Sequence, residues 1–261
     1  MRRGSATFFA IQLFFASGPL AAQTVETLKL RADVSQKVLI LEPAGPPKAS
    51  VVLFAGGSGE IGINDDGTIE RDGNFLIRSR GLFQKLGLLV AVYDMPDEIR
   101  SRDRYRLSGD HPADVAKLIE RLRQIAPVPV WLVGTSRGTI SVAHVAAELK
   151  GRAGPDGVVF TASVTRMSNS GRPDVSDANL DEIRVPALIV HHKDDECYVT
   201  LWRDQDDFLD DLKNAPKKQL IGLVGGSAGN PDDECRAFSH HGFLDIEERA
   251  VQVIADWITS S

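Results

Sequence analysis

Gly134-Thr135-Ser136-Arg137-Gly138 is the segment whose residue types and spacing best suit chemistry. It follows an apolar run, Val128 to Val133, that reads as a strand, and precedes a small-residue run, Thr139 to Leu149, that reads as a helix. A serine on a sharp strand-to-helix turn exposes its hydroxyl at the end of a sheet, and flanking glycines let the two elements approach closely. The helix N-terminus favours negative charge developing there. Ser136 is therefore a candidate nucleophile. A serine hydroxyl is weakly nucleophilic alone and needs a positioned base, itself oriented by an acid. Two later segments hold such groups: His191-His192-Lys193-Asp194-Asp195-Glu196 and Ser239-His240-His241-Gly242-Phe243.

The elements that must position these groups alternate between two periods. Val34 to Leu41, Val51 to Phe54, Leu88 to Tyr93, Val128 to Val133, Gly157 to Thr161, Ala187 to His191 and Gln219 to Val224 read as strands. Several are nearly continuous apolar runs, as for strands buried on both faces. Between them, Ala113 to Gln124, Thr139 to Leu149, Leu201 to Leu212 and Phe243 to Ile258 read as helices. The first carries Val115, Leu118, Ile119 and Leu122 at helical spacing. Such alternation predicts an α/β domain with a mostly parallel sheet and helices on both faces. Ile63 to Asn74 and Ser163 to Ile183 are polar loops, the second too short for a large lid.

These segments resemble the α/β-hydrolase superfamily over essentially the whole chain beyond its first 22 residues. The resemblance rests on Gly134-Thr135-Ser136-Arg137-Gly138, on the strand end His191 to Asp195, and on His241-Gly242-Phe243. It implies the chain order serine, acid, histidine, with the acid after a late strand and the histidine before the last helix. Asp195 fits the acid, with Asp194 as the alternative, since Glu196-Cys197-Tyr198 departs from the superfamily's spacing. His241 fits the base, with His240 as the alternative. The implied reaction is acyl transfer to Ser136 followed by hydrolysis, with no metal or cofactor required. Dehalogenation in this fold would want a carboxylate at position 136.

An oxyanion hole needs two backbone N–H donors aimed at the developing charge. Arg137, next after the serine, is one candidate. The loop Ala55-Gly56-Gly57-Ser58-Gly59 offers the other, Gly57 first and Ser58 next. That loop also permits a rival: Gly57-x-Gly59-x-x-Gly62 after a strand, with Asp94 ending a later one, imitates a dinucleotide-binding fingerprint. The fingerprint should open directly into a helix, yet Ile63-Asn64-Asp65-Asp66-Gly67 is loop chemistry. The other features have plainer explanations. His111 and His144 fall on helical segments and read as structural. Arg100, Arg102, Arg104 and Arg106 form a basic cluster that reads as a solvated loop, diluted by Asp103 and Asp110.

A length of 261 residues suits one domain, and a formal net charge of -6 gives no electrostatic reason for a nucleic-acid partner. Met1-Arg2-Arg3, an apolar run from Ala6 to Phe15, and small residues up to Ala22 have the order of a secretory signal peptide. Cleavage after Ala22 would leave residues 23–261 as the exported domain, periplasmic or secreted. No later segment is long and apolar enough to span a membrane. In an exported chain the two cysteines, Cys197 and Cys235, read as a disulfide. If the acid and histidine loops meet, such a bridge would pin them together. The partners expected are small-molecule or acyl substrates.

Overall fold

A computed structural model describes residues 22–261. The segment read as a signal peptide lies outside the described residues, apart from Ala22. Among the described residues eight strands form one sheet: β1 (Ala22–Arg31), β2 (Val34–Glu42), β3 (Ala49–Phe54), β4 (Leu88–Tyr93), β5 (Val130–Thr135), β6 (Gly157–Thr161), β7 (Ala187–His192) and β8 (Lys218–Leu223). Their spatial order is β1-β2-β4-β3-β5-β6-β7-β8. β1 pairs antiparallel with β2 and β2 with β4, while every later pairing is parallel. All residues of β3, β4, β5, β6 and β7 are buried, which explains their largely apolar character. Two apolar cores lie on opposite faces of the sheet, one built around Val115, Ile140 and Phe160, the other around Phe75, Phe243 and Ile254.

Among the described residues seven helices cover the sheet: α1 (Phe75–Arg78), α2 (Arg80–Lys85), α3 (Arg102–Arg106), α4 (Asp110–Ile125), α5 (Gly138–Glu148), α6 (Gln205–Asp211) and α7 (Glu247–Ser260). α4 and α5 lie where their apolar spacing predicts. Four features differ from the expectations. β1 is an additional, largely exposed edge strand whose polar face hides its pairing. α1 and α2 are four and six residues long, too short to show a helical period, although Phe75, Leu76, Ile77 and Phe83 are buried. The stretch from Leu201 divides into a 3₁₀ turn and α6. α7 begins at Glu247, because Phe243 and Asp245 take left-handed conformations, φ 57° and 66°. Phe243 turns inward instead, its ring centroid 4.7 Å from that of Phe75. The polar stretch Ser163 to Ile183 holds only two 3₁₀ turns, Val175–Asp177 and Leu180–Glu182, and builds no lid.

Candidate active site

Ser136 follows β5 immediately and takes φ 51°, unusual for a residue with a Cβ. The surroundings hold it there. Its N–H donates to Thr161 O at 2.9 Å, and its carbonyl accepts from Thr139 N at 2.9 Å and Thr139 Oγ1 at 2.6 Å. The flanking glycines answer a steric demand. A Cβ on Gly138 would stand 2.2 Å from Phe54 O, and one on Gly134 would stand 2.7 Å from Gly138 O. The parallel register sets Phe54 beside Gly134, so the ends of β3 and β5 and the start of α5 pack backbone to backbone.

Asp195 lies three residues past β7 and is almost fully buried. Its Oδ2 is 3.0 Å from His241 Nδ1 and accepts from Thr200 Oγ1 at 2.9 Å, while Oδ1 accepts from Cys197 N at 3.0 Å. Burial works to raise its pKa. The charge of His241, its hydrogen bond and the neighbouring His191 ring outweigh that and hold the carboxyl well below the ordinary carboxylate range. An ionised carboxylate only accepts, so His241 Nδ1 carries the proton and Nε2 is left as the basic nitrogen. His241 and Ser136 line one cleft of about 330 Å³, with Gly56, Gly57, Ser58 and Phe75 among its walls. Among the described residues no hydrogen bond joins Ser136 Oγ to His241; such bonds often close only around substrate.

The alternative residues have other partners. The Asp194 side chain is exposed, and its N–H donates to His192 Nδ1 at 3.1 Å. His240 stacks on His192, ring centroids 4.2 Å apart, and its Nδ1 lies 3.0 Å from Asp194 O. His192 Nε2 lies 2.7 Å from Gly225 O, and burial lowers the pKa of this ring. His111 is fully buried beside Tyr93 and Tyr105, consistent with a structural role.

The histidine loop is built by short-range contacts. Ser239 Oγ accepts from His241 N at 3.2 Å and donates to Arg236 O at 2.9 Å. Arg78 Nη2 of α1 donates to Gly242 O at 2.7 Å. Cys197 and Cys235 form a disulfide with Cα atoms 4.6 Å apart, joining the loop after β7 to the loop after β8. Cys197 is buried, whereas Cys235 is exposed and lines the cleft.

On the opposite wall the loop after β3 winds through positive φ at Gly57, Gly59 and Gly62. No helix opens from it; the next, α1, starts at Phe75. Asp94 is engaged in holding this loop, accepting from Ile61 N at 2.7 Å and Ile63 N at 2.9 Å. Both findings remove the dinucleotide alternative. Among the described residues the N–H groups of Gly57, Ser58 and Arg137 donate to no protein acceptor. The basic cluster is corrected as well. Arg102 to Arg106 form α3, and Arg106 is buried rather than solvated.

Spacing alone left several contributors unmarked. Thr200 and His191 both approach Asp195, the latter at 3.4 Å from Nε2 to Oδ2; Thr200 belongs to no motif, and His191 had no role of its own in the strand end where it stands. His191 could have been suspected as a polar residue in an apolar strand. Thr200 carries no such signal, because only the turn after Asp195 brings it back.

Compared as a sequence, the chain matches no protein-family model and no curated protein. Compared as a structure, it is similar to a dienelactone hydrolase from Anabaena variabilis at 17% identity and a TM-score of 0.64, over 92% of this chain and 98% of that one. It is also similar to an α/β serine hydrolase without lid from Xanthomonas campestris, at 17% identity, TM-score 0.58, and 90% and 97% coverage. A cold-adapted esterase from an Arctic intertidal metagenomic library aligns over 98% of this chain and 99% of its own, with 14% identity and a TM-score of 0.61. Identities this low speak for the fold. Together with the strand order and the turn at Ser136, they show that the chain has the α/β-hydrolase fold, in a form without a large lid.

Proposed function

We propose that this protein is an exported serine hydrolase that cleaves carboxylic esters through an acyl-enzyme on Ser136. The observation carrying the reading is the 3.0 Å contact of His241 Nδ1 with the buried Asp195, in a cleft that His241 shares with a serine held at positive φ. In this mechanism Ser136 Oγ attacks the ester carbonyl carbon as its proton passes to His241 Nε2. Asp195 keeps His241 in the required tautomer and stabilises its cation. The N–H groups of Gly57 and Arg137, with Ser58 adjacent, receive the oxyanion. Collapse breaks the ester C–O bond, and the alcohol leaves with the proton from His241. Water, deprotonated by His241, then attacks the acyl-enzyme and releases the acid and free Ser136.

Ester cleavage is favoured over amide or thioester cleavage because an esterase and a dienelactone hydrolase are among the structural neighbours. The substrate class is then a small-molecule or acyl ester, and no nucleic acid is called for. Export is supported by the charged, apolar and small-residue order of residues 1–22, and by a disulfide that would be at home outside the cytosol.

The test is hydrolysis of p-nitrophenyl esters of graded acyl length by the purified protein and by Ser136→Ala, with fluorophosphonate labelling alongside. The expected loss in the variant is at least about 10⁴-fold in kcat, together with loss of labelling. Equal activity in both proteins would refute the serine mechanism. Absence of turnover and of labelling in the unaltered protein would indicate a binding protein that keeps the fold without catalysis.

A further inference from the structure

Arg106 ends α3 and is only 1% exposed, although it carries a full charge. Its Nη1 donates to Ser141 Oγ of α5 at 2.7 Å, and its Nη2 donates to Gly57 O at 3.2 Å. Its Nε has no partner, and among the described residues it forms no ion pair with a carboxylate. Burial, reinforced by repulsion from Arg137, pushes its pKa down to about 10, so it remains charged at neutral pH. Burying an unpaired charge costs stability unless hydrogen bonds offset it. The neighbourhood is nonetheless shaped to hold it: a Cβ on Gly59 would stand 2.7 Å from Nη2, so the glycine makes room.

The rest of α3 spans the same gap. Arg102 Nη2 donates to Glu60 Oε2 at 2.9 Å, and Asp103 pairs with the Arg137 guanidinium. This five-residue helix thus braces the loop after β3 against the turn at Ser136. A trans peptide sets its C=O and N–H on opposite sides, so the bond to Gly57 O turns the Ser58 N–H away from Arg106. Gly57 and Ser58 line the cleft, and Arg106 stands outside that lining.

We propose that Arg106 is a positioning residue for the oxyanion hole: by gripping the Gly57 carbonyl from behind it directs the Ser58 N–H, the alternative donor beside Gly57, and it places a buried positive charge at the back of the loop that receives the oxyanion. This rests on the serine-hydrolase reading above. A preorganised dipole and a buried charge act on the transition state more than on the bound ester. Their removal should therefore lower kcat and leave KM nearly unchanged.

The experiment compares Arg106→Met, Arg106→Lys, Ser141→Ala and the exposed Arg104→Met on an ester that the unaltered protein hydrolyses, recording kcat, KM and thermal midpoint for each. Arg106→Met is expected to lose about 10- to 100-fold in kcat, short of the effect of deleting an oxyanion donor outright, with KM within about threefold. Arg106→Lys should recover part of the loss, Ser141→Ala should show a smaller fall of the same kind, and Arg104→Met should match the unaltered protein. A folded Arg106→Met with kcat within about twofold of the unaltered protein would overturn the proposal. If Arg106→Met does not fold, Ser141→Ala decides: a fall in kcat at constant KM supports the role, and an unchanged kcat overturns it. Failure of the hydrolase reading looks different, since the unaltered protein would then show no Ser136-dependent turnover, and this proposal would fall with it.

Discussion

The wall of the cleft that follows β3 is held by hydrogen bonds to buried groups, Asp94 from beneath and Arg106 from behind, whereas the wall carrying Asp195 and His241 is held by a covalent bridge. The difference follows from where each wall sits in the sheet. β3 lies between β4 and β5, all three fully buried, so its loop leaves a rigid base and a few polar anchors suffice. β8 is an edge strand and only partly buried, and the chain beyond it is mostly exposed with positive φ at Gly225, Gly226 and Gly229. Such a segment buries little apolar surface to offset the entropy of ordering it. The disulfide offsets part of that cost by restricting the unfolded chain.

The comparison can be tested by weakening each wall in turn. The largest effect is expected at Asp195→Asn, about 10⁴-fold in kcat, because the amide favours the wrong tautomer of His241. Its acid stability has a definite sign. The folded-state pKa of Asp195 is depressed below that of a free aspartate, so its charge contributes stability that is present above about pH 4 and lost as pH falls further. Urea unfolding at pH 7 and pH 3 should therefore show the difference between the unaltered protein and Asp195→Asn shrinking in acid. An equal difference at both pH values would contradict the assignment.

Removing the bridge is next in size. The Cys197→Ser, Cys235→Ser double variant opens a span of 38 residues, and should cost about 3–4 kcal/mol in denaturant unfolding on the chain-entropy account. Turnover should fall as well, because the loop whose Cys197 backbone N–H bonds Asp195 loses its covalent tether. A double variant as stable and active as the parent would mean that the histidine wall holds itself. The smallest effect is expected at Asp94→Asn, which leaves one loop N–H without its acceptor and should cost about 1–3 kcal/mol, read as a lower thermal midpoint. If this substitution cost more than loss of the disulfide, the ranking of the two walls would be reversed.

The parallel strands, α4, α5, the elbow at Ser136 and the absence of a large lid could be read from the sequence, because buried strands and amphipathic helices repeat their apolar residues at fixed periods. Ser136 and Asp195 were legible for a related reason, since each stands at or just past the end of such a strand, whereas His241 lies in the long loop between β8 and α7 and was marked only by the resemblance of His241-Gly242-Phe243 to the superfamily. Three further matters were decided only in three dimensions. Asp195 rather than Asp194 meets His241, since the turn after β7 buries one carboxylate and exposes its neighbour. Phe243 turns into the core instead of starting α7, an outcome set by Phe75, 168 positions away in the chain, and by a left-handed backbone that no apolar pattern announces. Arg106, one arginine among several in the sequence, became a buried charge behind Gly57 because α3 packs between the loop after β3 and α5. Periodicity reports which face of an element is apolar; the partner that a polar side chain meets depends on how distant elements pack, and the spacing of residues along one chain does not encode that directly.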